Sequence, residues 1–141
     1  MKRHLFLTLA FVMALPVFAA TDDEVAARKV VQELAGAFAN DGFKLRDGFW
    51  SGQIKPKTPL TLQVNLYAGN QYWFSVGATD KAKKMTVAVF DETGKPVEVN
   101  DYQDGAKAAA GCSPETSGPY YVRIQESEGE QADFCLVYSY K

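Results

Sequence analysis

The sequence predicts a mainly β protein, an antiparallel β-sandwich of jelly-roll type with one amphipathic helix at its N-terminal side. Three observations predict it. From Leu60 onward apolar residues recur at every second position, the period of a half-buried strand. Gly, Asn, Asp and Pro punctuate these runs at short intervals. A helical period appears in one place only, over residues 21–41. Short strands with frequent turns and a single early helix fit a sandwich and not a parallel α/β sheet.

Taken in order, residues 1–19 read as a secretory signal. Lys2, Arg3 and His4 form a basic head, Leu5 to Leu15 an apolar middle, and Val17-Phe18-Ala19-Ala20 a small-residue exit, with cleavage expected after Ala19. The apolar stretch is short for a bilayer span and ends at Pro16. Residues 20–42 hold the helix. Thr21 and Glu24 have capping-box spacing, acids fill the first turn, and Asn40-Asp41-Gly42 stops it. Ala27, Val31, Leu34 and Phe38 share one face, widened by Val30 and Ala35. That stripe is expected to lie across a sheet edge or an end of the sandwich, a partner protein or a membrane surface being the alternatives.

Residues 43–59 form a Gly- and Pro-broken connector with room for a short strand, and residues 60–141 the β domain. Leu60, Leu62, Val64 and Leu66 face one way, and Tyr72, Phe74 and Val76 resume that face after Ala68-Gly69-Asn70. The reversal predicts a β-hairpin. Further strands are expected at MTVAVFD, PVEVND, GAKAAAGC, PYYVRIQ and ADFCLVYSY, with a turn at Glu92-Thr93-Gly94-Lys95.

Composition narrows the chemistry. The chain has 141 residues and a formal charge of −2. Cleavage would remove Lys2 and Arg3 and no acid, giving about −4 in a mature chain of roughly 120 residues, enough for one core. A mildly acidic surface without a basic stripe argues against nucleic acid as a partner. No later segment is apolar enough for a membrane span. The only histidine, His4, leaves with the signal, so neither a Ser-His-Asp nor a Cys-His arrangement can be built. No Gly-x-Ser-x-Gly or Ser-x-x-Lys motif is present, and no catalytic residue, cofactor site or phosphate loop is assigned: the protein reads as a non-enzyme. Zinc lacks its nitrogen ligands. Calcium needs only oxygen, and Asn100, Asp101 and Asp104 share one loop, with Asp80 and Asp91 at other strand ends. Turn capping is the preferred explanation of these acids, and no metal is assigned. The two cysteines of an exported chain, Cys112 and Cys135, are expected to form a disulfide.

The order of these pieces resembles the bacterial pre-peptidase C-terminal domain over residues 60–140. The likeness rests on LYAGNQYWFSV, MTVAVFDETGKPV and SGPYYVRIQ, with FCLVYSY as closing strand. It implies a non-catalytic β-sandwich attachment, of a family in which some members bind matrix polymers or calcium. The N-terminal helix, the cysteine pair and the lack of an attached peptidase depart from that pattern.

Trp73 and Tyr121 have outward strand phase and Trp50 lies in the connector. These three aromatics are the candidate ligand surface, while cover by the helix is the preferred reading for the outward pair, Trp73 and Tyr121. The function expected is that of an exported binding module, periplasmic or secreted, with a glycan or other extracellular polymer as first candidate ligand. The alternative is a periplasmic protein-interaction factor, an inhibitor or an envelope accessory subunit.

Overall fold

The structure, a computed structural model, describes residues 19–141. The signal expected over residues 1–19 therefore lies, apart from Ala19, outside the described residues. Helix α1 spans Asp22–Ala39 and starts as its capping box dictates. The Glu24 N–H donates to Thr21 Oγ1 at 3.2 Å, and the Thr21 N–H donates to Glu24 Oε2 at 2.9 Å. Asp22, Asp23 and Glu24 place negative charge at the positive end of the helix dipole.

Nine strands follow: β1 Lys44–Leu45, β2 Trp50–Ile54, β3 Leu60–Leu66, β4 Tyr72–Ala78 and β5 Ala82–Phe90, then β6 Asn100–Asp104, β7 Lys107–Cys112, β8 Gly118–Gly129 and β9 Ala132–Tyr140. All pair antiparallel. The larger sheet runs β9-β4-β7-β6, with β1 and β2 both paired along the outer side of β9. The smaller runs β3-β8-β5. The pairs β2 with β9, β3 with β8 and β4 with β7 are nested one inside the next, and the first and third lie in one sheet, the second in the other. This is the winding of a jelly roll.

The core fills the space between the sheets. Phe74, Val76, Leu136 and Tyr138 of the larger sheet meet Val64, Leu66, Val87, Val89, Val122 and Ile124 of the smaller. A fully buried Val, Leu or Phe contributes about 1.5–3 kcal/mol by leaving water, so the two-residue alternation stabilises the stacked sheets directly.

Several expectations are corrected. The connector carries two strands, β1 and β2, because its residues find an open edge on β9. Ala68-Gly69-Asn70 does reverse the chain, with Gly69 at φ +91° and the Asn70 N–H donating to Tyr67 O at 3.3 Å. It does not make a hairpin: β3 belongs to the smaller sheet and β4 to the larger. The two strands face each other across the core, which gives the same alternation as pairing side by side. The PVEVND strand begins later. Pro96 makes a single bridge to Phe90, and the ladder starts only at Asn100. Helix α1 lies neither on an edge nor on an end but across the outer face of the larger sheet, over β4 and β9.

The disulfide is also overturned. Cys112 and Cys135 are both free and buried. Cys112 faces the inter-sheet core, whereas Cys135 faces α1 on the opposite side of the same sheet. Register sets Cys112 beside Tyr72 and Cys135 beside Gly77, roughly 17 Å apart along β4. Disulfide geometry requires Cα atoms within about 7 Å. Burial pushes the Cys112 thiol up to about 11. It pushes that of Cys135 up as well, against the opposing charge of Arg28.

Candidate functional site

The three candidate aromatics go to three different places. Trp73 lies on the outer face of the larger sheet, where α1 half-buries it. Its ring stacks on Phe38 with centroids 4.2 Å apart and planes 10° from parallel. Gly77 permits this docking, because a Cβ there would stand 2.6 Å from the backbone N of Val31. Tyr121, expected under the helix with Trp73, lies instead half-buried on the outer face of the smaller sheet, in register with Gln63 and Phe90 and away from α1, which packs on β4 and β9. Trp50 is the only one of the three on an inner-facing position of the sandwich, opposite Leu136 and packed against the core.

Trp50 opens onto a cleft of about 330 Å³ on one side of the sandwich. The cleft sits between β2, paired only with β9, and β3, paired only with β8, so two free sheet edges frame it. Its walls carry Trp50, Tyr67, Tyr138, Arg46, Gln63 and Asn65. The rings of Trp50 and Tyr138 are 6.0 Å apart and 19° from parallel. Arg46 is anchored by its backbone, whose N–H donates to Tyr138 O at 3.0 Å, and its guanidinium carbon lies 5.0 Å from the Tyr138 ring centroid. Tyr67 is held by the Tyr72 hydroxyl, which accepts its N–H at 2.9 Å, while the Tyr67 side chain stays largely in solvent, the residue being 63% exposed. Burial raises the Tyr138 hydroxyl above its ordinary value, with Arg46 opposing. It therefore remains an O–H donor at neutral pH.

The rings of Trp50 and Tyr67 beside two amides and a guanidinium can stack an apolar ring face and hydrogen-bond to its substituents, with Tyr138 buried behind them. Sequence reasoning located Trp50 alone. Gln63 and Asn65 were readable as outward polar positions on an alternating strand, and Tyr67 as the residue continuing that phase. No spacing brings Arg46 to them, since it arrives through β1 and the loop after it.

A second, larger cleft of about 510 Å³ lies at one end of the sandwich, between the 91–99 and 113–117 loops. Trp73 and Tyr72 line it together with Asp91, Lys95, Asn100 and Thr116. Asp91 is engaged in its own turn: its Oδ1 accepts from the Thr93 hydroxyl at 2.7 Å and from the N–H groups of Thr93 and Lys95, each at 2.9 Å. These bonds, the Thr93 hydroxyl first, lower its pKa.

The acids weighed for calcium do not converge. Residues 100–104 form a strand, with Asp101 accepting from Gln103 Nε2 at 2.7 Å and Asp104 paired to Lys107 at 3.5 Å. Among the described residues no three His, Cys, Asp or Glu side chains are grouped to hold a metal ion. No described helix is long and apolar enough to cross a membrane.

No family model matches the chain, and no curated protein matches it. Among solved structures, the solution NMR structure of a de novo designed double-stranded β-helix matches with 12% identity and a TM-score of 0.36. The match covers 64% of this chain and 97% of that one. A likeness that loose carries no argument about fold or activity.

Proposed function

We propose that the protein is an exported, non-catalytic binding module that holds a glycan or similar linear polymer in the cleft between β2 and β3. One observation carries the reading: Trp50, Tyr67 and Tyr138 gather with Gln63, Asn65 and Arg46 around an opening of about 330 Å³. Sugars offer apolar C–H faces ringed by hydroxyls, which aromatic planes and planar amides complement. The likeness of residues 60–140 to pre-peptidase C-terminal domains points the same way, since those are attachments without catalysis. Titration of the labelled protein with a panel of oligosaccharides, followed by amide NMR, tests it. A binding sugar should shift resonances of β2 and β3 while leaving those of β6 in place. Tyr67→Ala should weaken binding by about tenfold and leave the melt unchanged, because that side chain is mostly solvated. A panel that moves no cleft resonance overturns the reading.

The alternative, a protein-interaction factor, draws support from β6. All five of its residues are exposed and it pairs only with β7, leaving one backbone edge open to an extended segment of a partner protein. That reading takes precedence if the sugar panel leaves the cleft silent.

A further inference from the structure

We infer that the ligand of the β2–β3 cleft carries a carboxylate, making it an acidic sugar chain of the hexuronate kind, and that Arg46 is the residue that selects it. The inference rests on the binding reading above and adds the ligand's charge. Arg46 is the one charged side chain of the cleft wall, and no acid lines the cleft with it. Among the described residues it makes no ion pair, although the acidic chain offers many carboxylates. Its position is nevertheless fixed at both ends. The backbone N–H is bonded to Tyr138 O, and the guanidinium lies over the Tyr138 ring. A cation held over an aromatic face keeps its in-plane N–H groups directed outward, and that planar fork matches a carboxylate with two parallel hydrogen bonds.

The surrounding groups fit the rest of a hexuronate unit. Trp50 and Tyr67 provide faces for the ring's C–H surface, and Gln63 and Asn65 provide donors and acceptors for its hydroxyls. A neutral sugar would leave Arg46 unanswered. A polycation would meet it as a like charge. Within the cleft Arg46 alone attracts an acidic chain, because no other charged side chain lines it.

The experiment compares an oligogalacturonate with its fully methyl-esterified counterpart, which has the same ring and no carboxylate. Binding to the protein is followed by amide NMR and by Trp50-sensitive fluorescence. The acid should bind at least about tenfold more tightly than the ester, and Arg46→Gln should remove that advantage, bringing acid and ester to the same affinity. Arg46→Lys should recover part of it, since charge returns without the fork. Raising the salt concentration should weaken the acid and spare the ester. Equal binding of acid and ester, or an Arg46→Gln variant that still prefers the acid, overturns the anion assignment alone. If neither compound nor any neutral sugar moves a cleft resonance, the polymer reading falls together with it.

Discussion

Cys112 and Cys135 show how far a single residue's strand phase decides its chemistry. Each thiol is buried on its own side of one sheet, and burial raises both. Unfolding without reductant should therefore expose two reactive thiols per chain, whereas the native protein should react slowly even in mild alkali, since Cys112 ionises near 11. Thiol titration with and without denaturant checks this, and no thiol in the unfolded, unreduced chain would contradict it. The phase of Cys135 was legible, because Phe134 and Leu136 beside it are plainly core residues. That of Cys112 was not, since the alanines before it are small enough to face either side. Glu126 is the other residue whose burial has a measurable consequence. It is fully buried on β8, its Oε2 has no hydrogen-bond partner among the described residues, and Oε1 accepts only a long bond of 3.4 Å from the Lys83 N–H. Burial raises its pKa, with that bond opposing. Below the ordinary carboxylate range Glu126 is neutral in both states and costs nothing. As pH rises toward and through the raised native value, the unfolded chain ionises more easily and stability is lost. Glu126→Gln should thus melt higher than the parent at neutral pH, by about 1 kcal/mol, and the difference should vanish below pH ~4. A constant difference across that range would point to packing instead.

At the scale of elements, the helix was legible to its first turn and so was its docking over Trp73, but the sheet surface that receives the rest of its stripe was not. Thr21 and Glu24 announce the start, and Ala27, Val31 and Ala35 are buried as their spacing requires. What receives them is a patch of small or outward residues on β4 and β9: Gly77, Cys135 and Val137. Gly77 looks like any strand glycine in sequence, yet it sets the distance of closest approach. Gly77→Ala should cost about 1–3 kcal/mol by overpacking and should bare Trp73, read as a shift in its emission. Gly36→Ala offers the contrast, for it is an exposed helix position with open space around it. That change should stabilise by about 0.5–1 kcal/mol. If both substitutions behave alike in thermal melts, close docking of the helix is not what Gly77 provides. The strand pairing was illegible for a related reason. Alternation reports which face a strand buries and not which neighbour it bonds, so β3 and β4 read as partners when they lie in opposite sheets.

For the molecule as a whole, the nested winding makes β9 the strand on which the larger sheet depends. It pairs with β1 and β2 on one side and β4 on the other, and its outer face carries α1. A chain ending at Gln131 should therefore show no cooperative melt and no fixed aromatic environment by near-ultraviolet circular dichroism. A sharp transition in that variant would mean the remaining strands suffice. The candidate cleft depends on the same strand, because Tyr138 and the anchored backbone of Arg46 both meet on it.

Strand β9 is also the last of the nine strands that a ribosome would release. Until its residues emerge, β1 and β2 have no ladder to join and β4 has only β7, and the nested pairs force most contacts to span long stretches of chain. Such topologies fold slowly, since loop closure must precede any gain from contact. The larger sheet is thereby left incomplete until β9 has been made, and the helix that packs on β9 waits with it.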